Sequence, residues 1–261
     1  MDLGLRGKVA LVTGGSNGLG LASAAALARE GVRLAIAARD VDRLEAAAAG
    51  LRKEAGGEVL ALQADVASAA ATRDLAAQVA DALGPVEILV ANAGGPKPGR
   101  FGDFSWDEWL RAFELVVGSV HHLVSAVAPG MRSAGWGRIV SIQSMSIRQP
   151  VDNLLLSNSL RPAAAGLLKG LASEFAPFGI TVNVVGPGSS RTQRILELGR
   201  HRNPGVADPE VIRILGSGMP LGRLVEPVEV GAAVAYLCSV QAAAITGAFL
   251  PVDGGQIRNQ M

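Results

Sequence analysis

Val9-Ala10-Leu11-Val12-Thr13-Gly14-Gly15-Ser16-Asn17-Gly18-Leu19-Gly20 is the stretch that decides the fold. Its first part, Val9–Val12, is a short apolar run with β-branched residues, the profile of a buried strand. Its second part is glycine-rich and leads into the Ala/Leu-rich segment Gly20–Glu30, which reads as a helix. Glycine reaches positive φ and lets a backbone come close to a phosphate. A helix opening near Gly18 offers unpaired N–H groups and a positive dipole end. A strand, a glycine loop and a helix in that order form the context of a dinucleotide site. Gly14, Ser16, Asn17, Gly18, Leu19 and Gly20 are therefore candidate cofactor contacts. An ordinary glycine-rich turn is the competing reading.

The same rhythm continues along the chain. Further apolar runs at Val32–Ala37, Val59–Gln63, Ile88–Ala91, Ile139–Ile142, Thr181–Val185 and Ala248–Val252 read as strands. Between them, Val41–Ala55, Ala69–Leu83, Trp106–Ala134, Ser159–Pro177 and Val228–Ser239 read as helices. Strands alternating with helices imply an α/β fold: a doubly wound, Rossmann-type sheet of about seven parallel strands with helices on both faces. No Pro/Gly/Ser-rich linker divides residues 1–261, so a single domain is expected.

Composition narrows the function classes. The chain has 261 residues, 49% of them apolar, which is enough to bury a core and excludes disorder. A formal net charge of +1 argues against nucleic acid as a partner. The lone Cys238 excludes a disulfide scaffold and a Cys-based zinc site, and no metal is expected. Val230–Val252 is uncharged and long enough to span a bilayer, but Ser239, Gln241, Thr246, Gly247 and Pro251 interrupt it. It reads instead as a buried helix, a turn at Gln241 and a short strand. With no signal peptide at Met1–Arg6 and no membrane partner, a cytoplasmic location is expected.

The end of the second strand reads Ala38-Arg39-Asp40. An NAD site places a carboxylate there for the ribose 2′-hydroxyl. Here Ala38 holds that place and Arg39 follows, suited to a 2′-phosphate. NADP(H) is therefore favoured over NAD(H), with a solvated surface Arg39 as the alternative.

With these residues in hand, the chain resembles the short-chain dehydrogenase/reductase family, most of all the branch related to 3-oxoacyl-acyl-carrier-protein reductase. The resemblance rests on Thr13–Gly20, Asp65-Val66, Asn92-Ala93-Gly94, Gly137–Val140, Gly179–Asn183, Pro187-Gly188 with Thr192, and Val252–Gly255. It implies that Asp65 and Val66 hold the adenine and that Asn92 braces the sheet. It also implies that Ala93 and Gly94 line the ribose, Pro187 and Gly188 flank the nicotinamide, and Thr192 bonds the carboxamide or a phosphate. Family members are usually dimers or tetramers, so a homotetramer or homodimer is expected.

The family's chemistry uses Asn, Ser, Tyr and Lys, and here the chain departs. The Ser is Ser144. Thirteen residues on, the Tyr position holds Ser157; four further, the Lys position holds Arg161; the Asn position holds Val116. Serine's hydroxyl is a far weaker acid than a phenol, and a guanidinium does not release its proton near neutrality. Ser144, Ser157 and Arg161 are the candidate catalytic residues, with Arg161 also a cofactor contact. The only tyrosine, Tyr236, falls on a late helix far from them and reads as structural.

Four further expectations complete the reading. Pro162 predicts that its helix starts close to Ser157–Ser159 or is kinked there, with at least one of Ser157, Asn158 and Ser159 as a cap. His121, His122 and His201 are weak substitutes for the missing acid, and Asn153, Asn158 and Gln143 are possible amide donors beside Ser144. The substrate loop Ser189–Glu226 carries Arg191, Arg194, Arg200, Arg202, Arg213 and Arg223, fitting an acyl-carrier or phosphorylated thioester substrate or simply a solvated face. Two functions follow: a hydride-transferring oxidoreductase acting on a carbonyl or alcohol, or a nucleotide-binding homologue with little turnover that acts as a sensor or assembly partner.

Overall fold

The first strand, β1 (Val9–Thr13), is buried along its whole length. Successive side chains of a strand point to opposite faces, so Ala10 and Val12 join one core while Val9 and Leu11 join another. A polar/apolar alternation is therefore absent, as the sequence of a strand covered on both faces requires. The computed structural model describes residues 2–259, apart from the side chains at 201 and 202.

Six more strands extend the sheet: β2 (Arg33–Ala38), β3 (Val59–Gln63), β4 (Ile88–Ala91), β5 (Gly137–Ile142), β6 (Ile180–Pro187) and β7 (Phe249–Val252). All pairings are parallel, in the order β3-β2-β1-β4-β5-β6-β7. One face carries α1 (Gly18–Arg29), α2 (Val41–Ala55) and α9 (Pro227–Cys238), which bury Leu27, Leu44 and Val234 against it. The other carries α3 (Ala69–Leu83), α5 (Ser119–Ala134) and α6 (Leu155–Phe175), through Val79, Leu123 and Leu168. The remaining helices are α4 (Trp106–Phe113), α7 (Gln193–Arg202) and α8 (Asp208–Ser217). Chain order reverses direction on either side of β1, which opens a crevice at the C-terminal strand ends between β1 and β4.

Two expectations need correction. Trp106–Ala134 is not one helix: a π-turn at Glu114–Gly118 separates α4 from α5, and Ser119 Oγ donates to Leu115 O at 2.6 Å across it. By length and composition this stretch could cross a membrane, but half of its most apolar window is buried inside the fold, as in a core helix. The second correction concerns α6. It begins at Leu155, its cap position is Leu154, and none of Ser157, Asn158 and Ser159 caps it. Pro162 lies inside the helix and leaves the Asn158 carbonyl without its usual donor. The seam Leu156, Leu160, Ala164, Leu168 and Ala172, buried at a four-residue spacing, carries the helix past that break. The expected substrate loop Ser189–Glu226 holds α7 and α8.

Val230–Val252 does form a buried helix segment, a turn around Gln241 and a strand. Tyr236 sits on α9, which packs on the sheet, yet its ring is 39% exposed.

Candidate active site

The glycine loop is held in place by the end of β4. Asn92 Nδ2 donates to Thr13 O at 3.2 Å and to Gly14 O at 3.4 Å, while Thr13 Oγ1 donates to Asn92 O at 2.8 Å. Gly14 and Gly18 have positive φ, +59° and +53°. A Cβ on Gly20 would lie 2.1 Å from Gly14 O, so only glycine lets the loop fold back on the helix. Asn17 precedes α1 in an extended conformation, makes no side-chain cap, and no acidic residue follows in the first turn. The first N–H groups of α1 are thus left for an external anion. Loop and helix end together fit a dinucleotide pyrophosphate.

The other candidate contacts line the same sheet edge. Arg39 is exposed, and among the described residues its guanidinium has no ion pair or hydrogen bond. Its neighbour Asp40 is occupied: it caps α2 by accepting from Arg43 N at 3.0 Å and pairs with the Arg43 guanidinium at 3.1 Å. Asp65 is exposed beside buried Val66 and accepts from Ala67 N at 3.1 Å. Pro187 ends β6, and Gly188 lies so close to Asp253 that a Cβ would meet its Cα at 2.8 Å. Thr192 caps α7 through Ile195 N, and its methyl carbon lies 3.4 Å from the place of a Cβ on Gly18. Ala93 and Gly94 line a small cavity with Asn92, Val116, Gln143 and Arg161.

Three of the four expected catalytic positions, Ser144, Ser157 and Arg161, are joined by hydrogen bonds through Ser146. Ser144 heads a short 3-10 turn, Met145–Ile147, and its Oγ accepts from Ser146 N at 3.1 Å. The Ser146 and Ser157 hydroxyls are 3.1 Å apart. Arg161, one helical turn beyond Ser157, donates from Nε to Ser157 Oγ and from Nη1 to Gln143 Oε1, each at 3.1 Å. Gln143 Nε2 donates in turn to Ser141 Oγ at 2.7 Å. Desolvation, and then the nearby positive charge of Arg194, bring the Arg161 pKa down to about 10. The group still carries its proton at neutral pH. Val116 is buried with Ala112, Leu156 and Leu160, so the relay position is apolar.

Comparison with known proteins identifies the family of this fold. The family model described as enoyl-(acyl carrier protein) reductase matches residues 14–256. A putative ketoacyl reductase of Streptomyces coelicolor is 36% identical over 95% of this chain and 96% of its own length. The chain belongs to the short-chain dehydrogenase/reductase family. The solved L-sorbose reductase of Gluconobacter frateurii, complexed with NADPH and L-sorbose, superposes with a TM-score of 0.95 at 31% identity, covering 99% of this chain and 100% of the other. An NADPH-bound short chain oxidoreductase of Pseudomonas aeruginosa PAO1 containing an atypical catalytic centre superposes with a TM-score of 0.89 at 32% identity, over 98% and 99% of the two chains.

This family member brings together some of the substitutes expected from sequence and separates others. Of the amides, only Gln143 joins the catalytic chain. Asn158 is tied on both sides to Val151, accepting from its N at 3.0 Å and donating to its O at 2.9 Å, while exposed Asn153 accepts from Gly99 N through its backbone. His122 faces Glu114 at 3.3 Å, His121 faces His122, and the His201 side chain lies outside the described residues. The arginines of Ser189–Glu226 form no free basic patch. Arg191 pairs with Glu226, Arg200 with Asp208, Arg213 with Glu210 and Arg223 with Glu229, while the Arg202 side chain lies outside the described residues. Arg194 differs: it donates from Nη2 to Pro96 O at 2.6 Å, at the mouth of the crevice. Ser146 escaped sequence reasoning, its only signal being its place two residues past Ser144, whereas Arg194 was named only as one of six arginines in the substrate loop.

Proposed function

We propose that the chain is an NADP(H)-dependent oxidoreductase that interconverts a carbonyl and an alcohol with an atypical proton path. The observation that carries this reading is the chain Ser146–Ser157–Arg161–Gln143, closed where the family places its tyrosine and lysine. When bound, the nicotinamide supplies or accepts the hydride. Ser144 orients the substrate oxygen by hydrogen bond, its hydroxyl hydrogen being free while its oxygen accepts from Ser146 N. Arg161 supplies a fixed positive charge toward oxygen that becomes negative as hydride arrives. It is not the acid, because it remains protonated at neutral pH. Ser157, 6% exposed, is a relay rather than a source, and a water at the crevice end of the hydroxyl chain provides the proton. Unpaired Arg39 supports NADP(H) over NAD(H). Exposed Trp106, Leu110 and Phe113 on α4 support a homodimer or homotetramer.

A second reading, a nucleotide-binding homologue with little turnover, is favoured by one observation: both partners of the Ser157 hydroxyl are protein groups. The two readings part in one experiment. NADPH and NADH binding is followed by stopped-flow nicotinamide fluorescence, then oxidation is measured over 3-oxoacyl thioesters, diketones and secondary alcohols. Tight NADPH binding with turnover above blank supports the oxidoreductase. Binding without oxidation supports the second reading, as does activity appearing only in Ser157→Tyr/Arg161→Lys. Failure to bind either nucleotide sinks both.

A further inference from the structure

Two arginines stand at the mouth of the crevice without a counter-ion. Among the described residues, neither Arg161 nor Arg194 has a carboxylate within ion-pair distance, although the other arginines of the substrate segment with described side chains are paired. Glu197, one turn further along α7, is exposed and acts on Arg194 only through its field. Both guanidinium groups are partly buried, and burial is the main cause pulling each pKa down. They also repel one another. Partly burying two like charges side by side is costly, and protein folds normally place an acid between them.

Their hydrogen-bonding capacity is also unspent. Arg161 uses Nε and Nη1 on neutral groups, which leaves Nη2 without a protein acceptor. Arg194 uses one of the two Nη2 hydrogens on Pro96 O, which leaves Nε, Nη1 and the second Nη2 hydrogen. It lies against Gly95, where a Cβ would meet its Nη2 at 3.1 Å, so glycine makes room for the guanidinium. The expected cofactor groups nearest these arginines bring no negative charge to them. Ribose hydroxyls are neutral, and the pyrophosphate is already provided for at the start of α1. It is Thr192 whose methyl faces Gly18 there, whereas Arg194 reaches to Gly95 and Pro96.

Resting on the oxidoreductase reading above, we infer that Arg194 and Arg161 form an anion subsite and that the substrate is an oxo acid, its carboxylate close to the reacting carbonyl. The planar fork of Arg194 matches a carboxylate in two-point contact. Arg161 then faces the reacting oxygen, so the fixed negative charge and the developing one each meet a cation.

The test compares 2-oxo and 4-oxo carboxylates with their methyl esters at constant ionic strength. Binding to the protein–NADPH complex is read by nicotinamide fluorescence, and turnover by NADPH oxidation. The subsite predicts that at least one carboxylate binds ~10-fold or more tighter than its ester, the scale of one charge-assisted contact. Arg194→Gln is expected to erase that ratio, with the loss in KM rather than kcat, and Arg194→Lys to restore part of it. NADPH affinity is expected to change less than about threefold on the same scale. Equal binding of acid and ester overturns the inference and leaves the oxidoreductase reading standing. So does an Arg194→Gln variant that loses NADPH affinity instead, because the anion would then be the cofactor's. Carboxylate binding without any turnover keeps the subsite and sinks the oxidoreductase.

Discussion

Arg161, partly buried, sits in the proposed catalytic chain between Ser157 and Gln143. Folding disfavours its charged form, since burial pulls its pKa below the usual guanidinium range to about 10. That penalty is fully present below about pH 10 and is relieved as pH rises above it toward the ordinary guanidinium value. Arg161→Met is therefore expected to separate stability from activity. Its Tm should hold or rise at pH 7, an advantage that shrinks above pH 10, because a partly buried unpaired charge is removed. Its kcat should fall by about 10²–10³, the usual effect of losing one preorganised donor to a developing oxyanion. Thermal unfolding and steady-state kinetics on one preparation check both; a falling Tm with unchanged kcat would make Arg161 a structural residue. Val116, Ser157 and Arg161 were singled out by counting along the chain from Ser144 and the long helix before it. Ser146 was not, because its place beside Ser157 depends on the tight turn after β5, and turn geometry is not written in residue spacing.

Helix α9 shows what holds the elements around this site. It buries Val230, Val234 and Leu237, each contributing about 1.5–3 kcal/mol relative to exposure. It approaches α1 so closely at Gly231 that a Cβ there would lie 2.5 Å from Ala22 O. Gly231→Ala is expected to cost about 1–3 kcal/mol, read by urea unfolding, because backbone rather than a flexible side chain must move. The start of α9 is fixed electrostatically. Glu229 accepts from Glu226 N and pairs with Arg223, and these contacts, the Arg223 bond first, hold its pKa down at about 2. A depressed carboxylate contributes above its ordinary pKa of 4.5 and loses that contribution as pH falls toward 2. The stability difference between the wild type and Glu229→Gln should therefore shrink steadily from pH 5 to pH 2; a difference independent of pH would contradict the pairing. At this scale the sequence was readable where apolar runs were long. It misled at α6, where Pro162 is a strong stop signal that tertiary burial of Leu156–Ala172 overrides. It was silent on α7 and α8, which are short and rich in paired charges, and on the π-turn, which leaves helical composition unchanged.

Across the whole molecule, the strand order was the most legible property. Buried β-branched runs alternating with Ala/Leu-rich helices leave few alternatives to a parallel sheet wound both ways, and the glycine loop after β1 marks the crevice. The chemistry within that crevice was less legible, because it depends on contacts between β4, β5, α6 and α7 that meet only in three dimensions. The proposed function requires that this crevice transfer hydride with Ser157 at the position where the family is expected to hold its tyrosine. Its most direct test is a single-turnover reaction with NADPH deuterated at the transferring position, using oxo acids and neutral ketones. NADPH oxidation with deuterium on the carbinol carbon of the product is expected. Bound NADPH that stays reduced, with no labelled alcohol from any carbonyl offered, would contradict it.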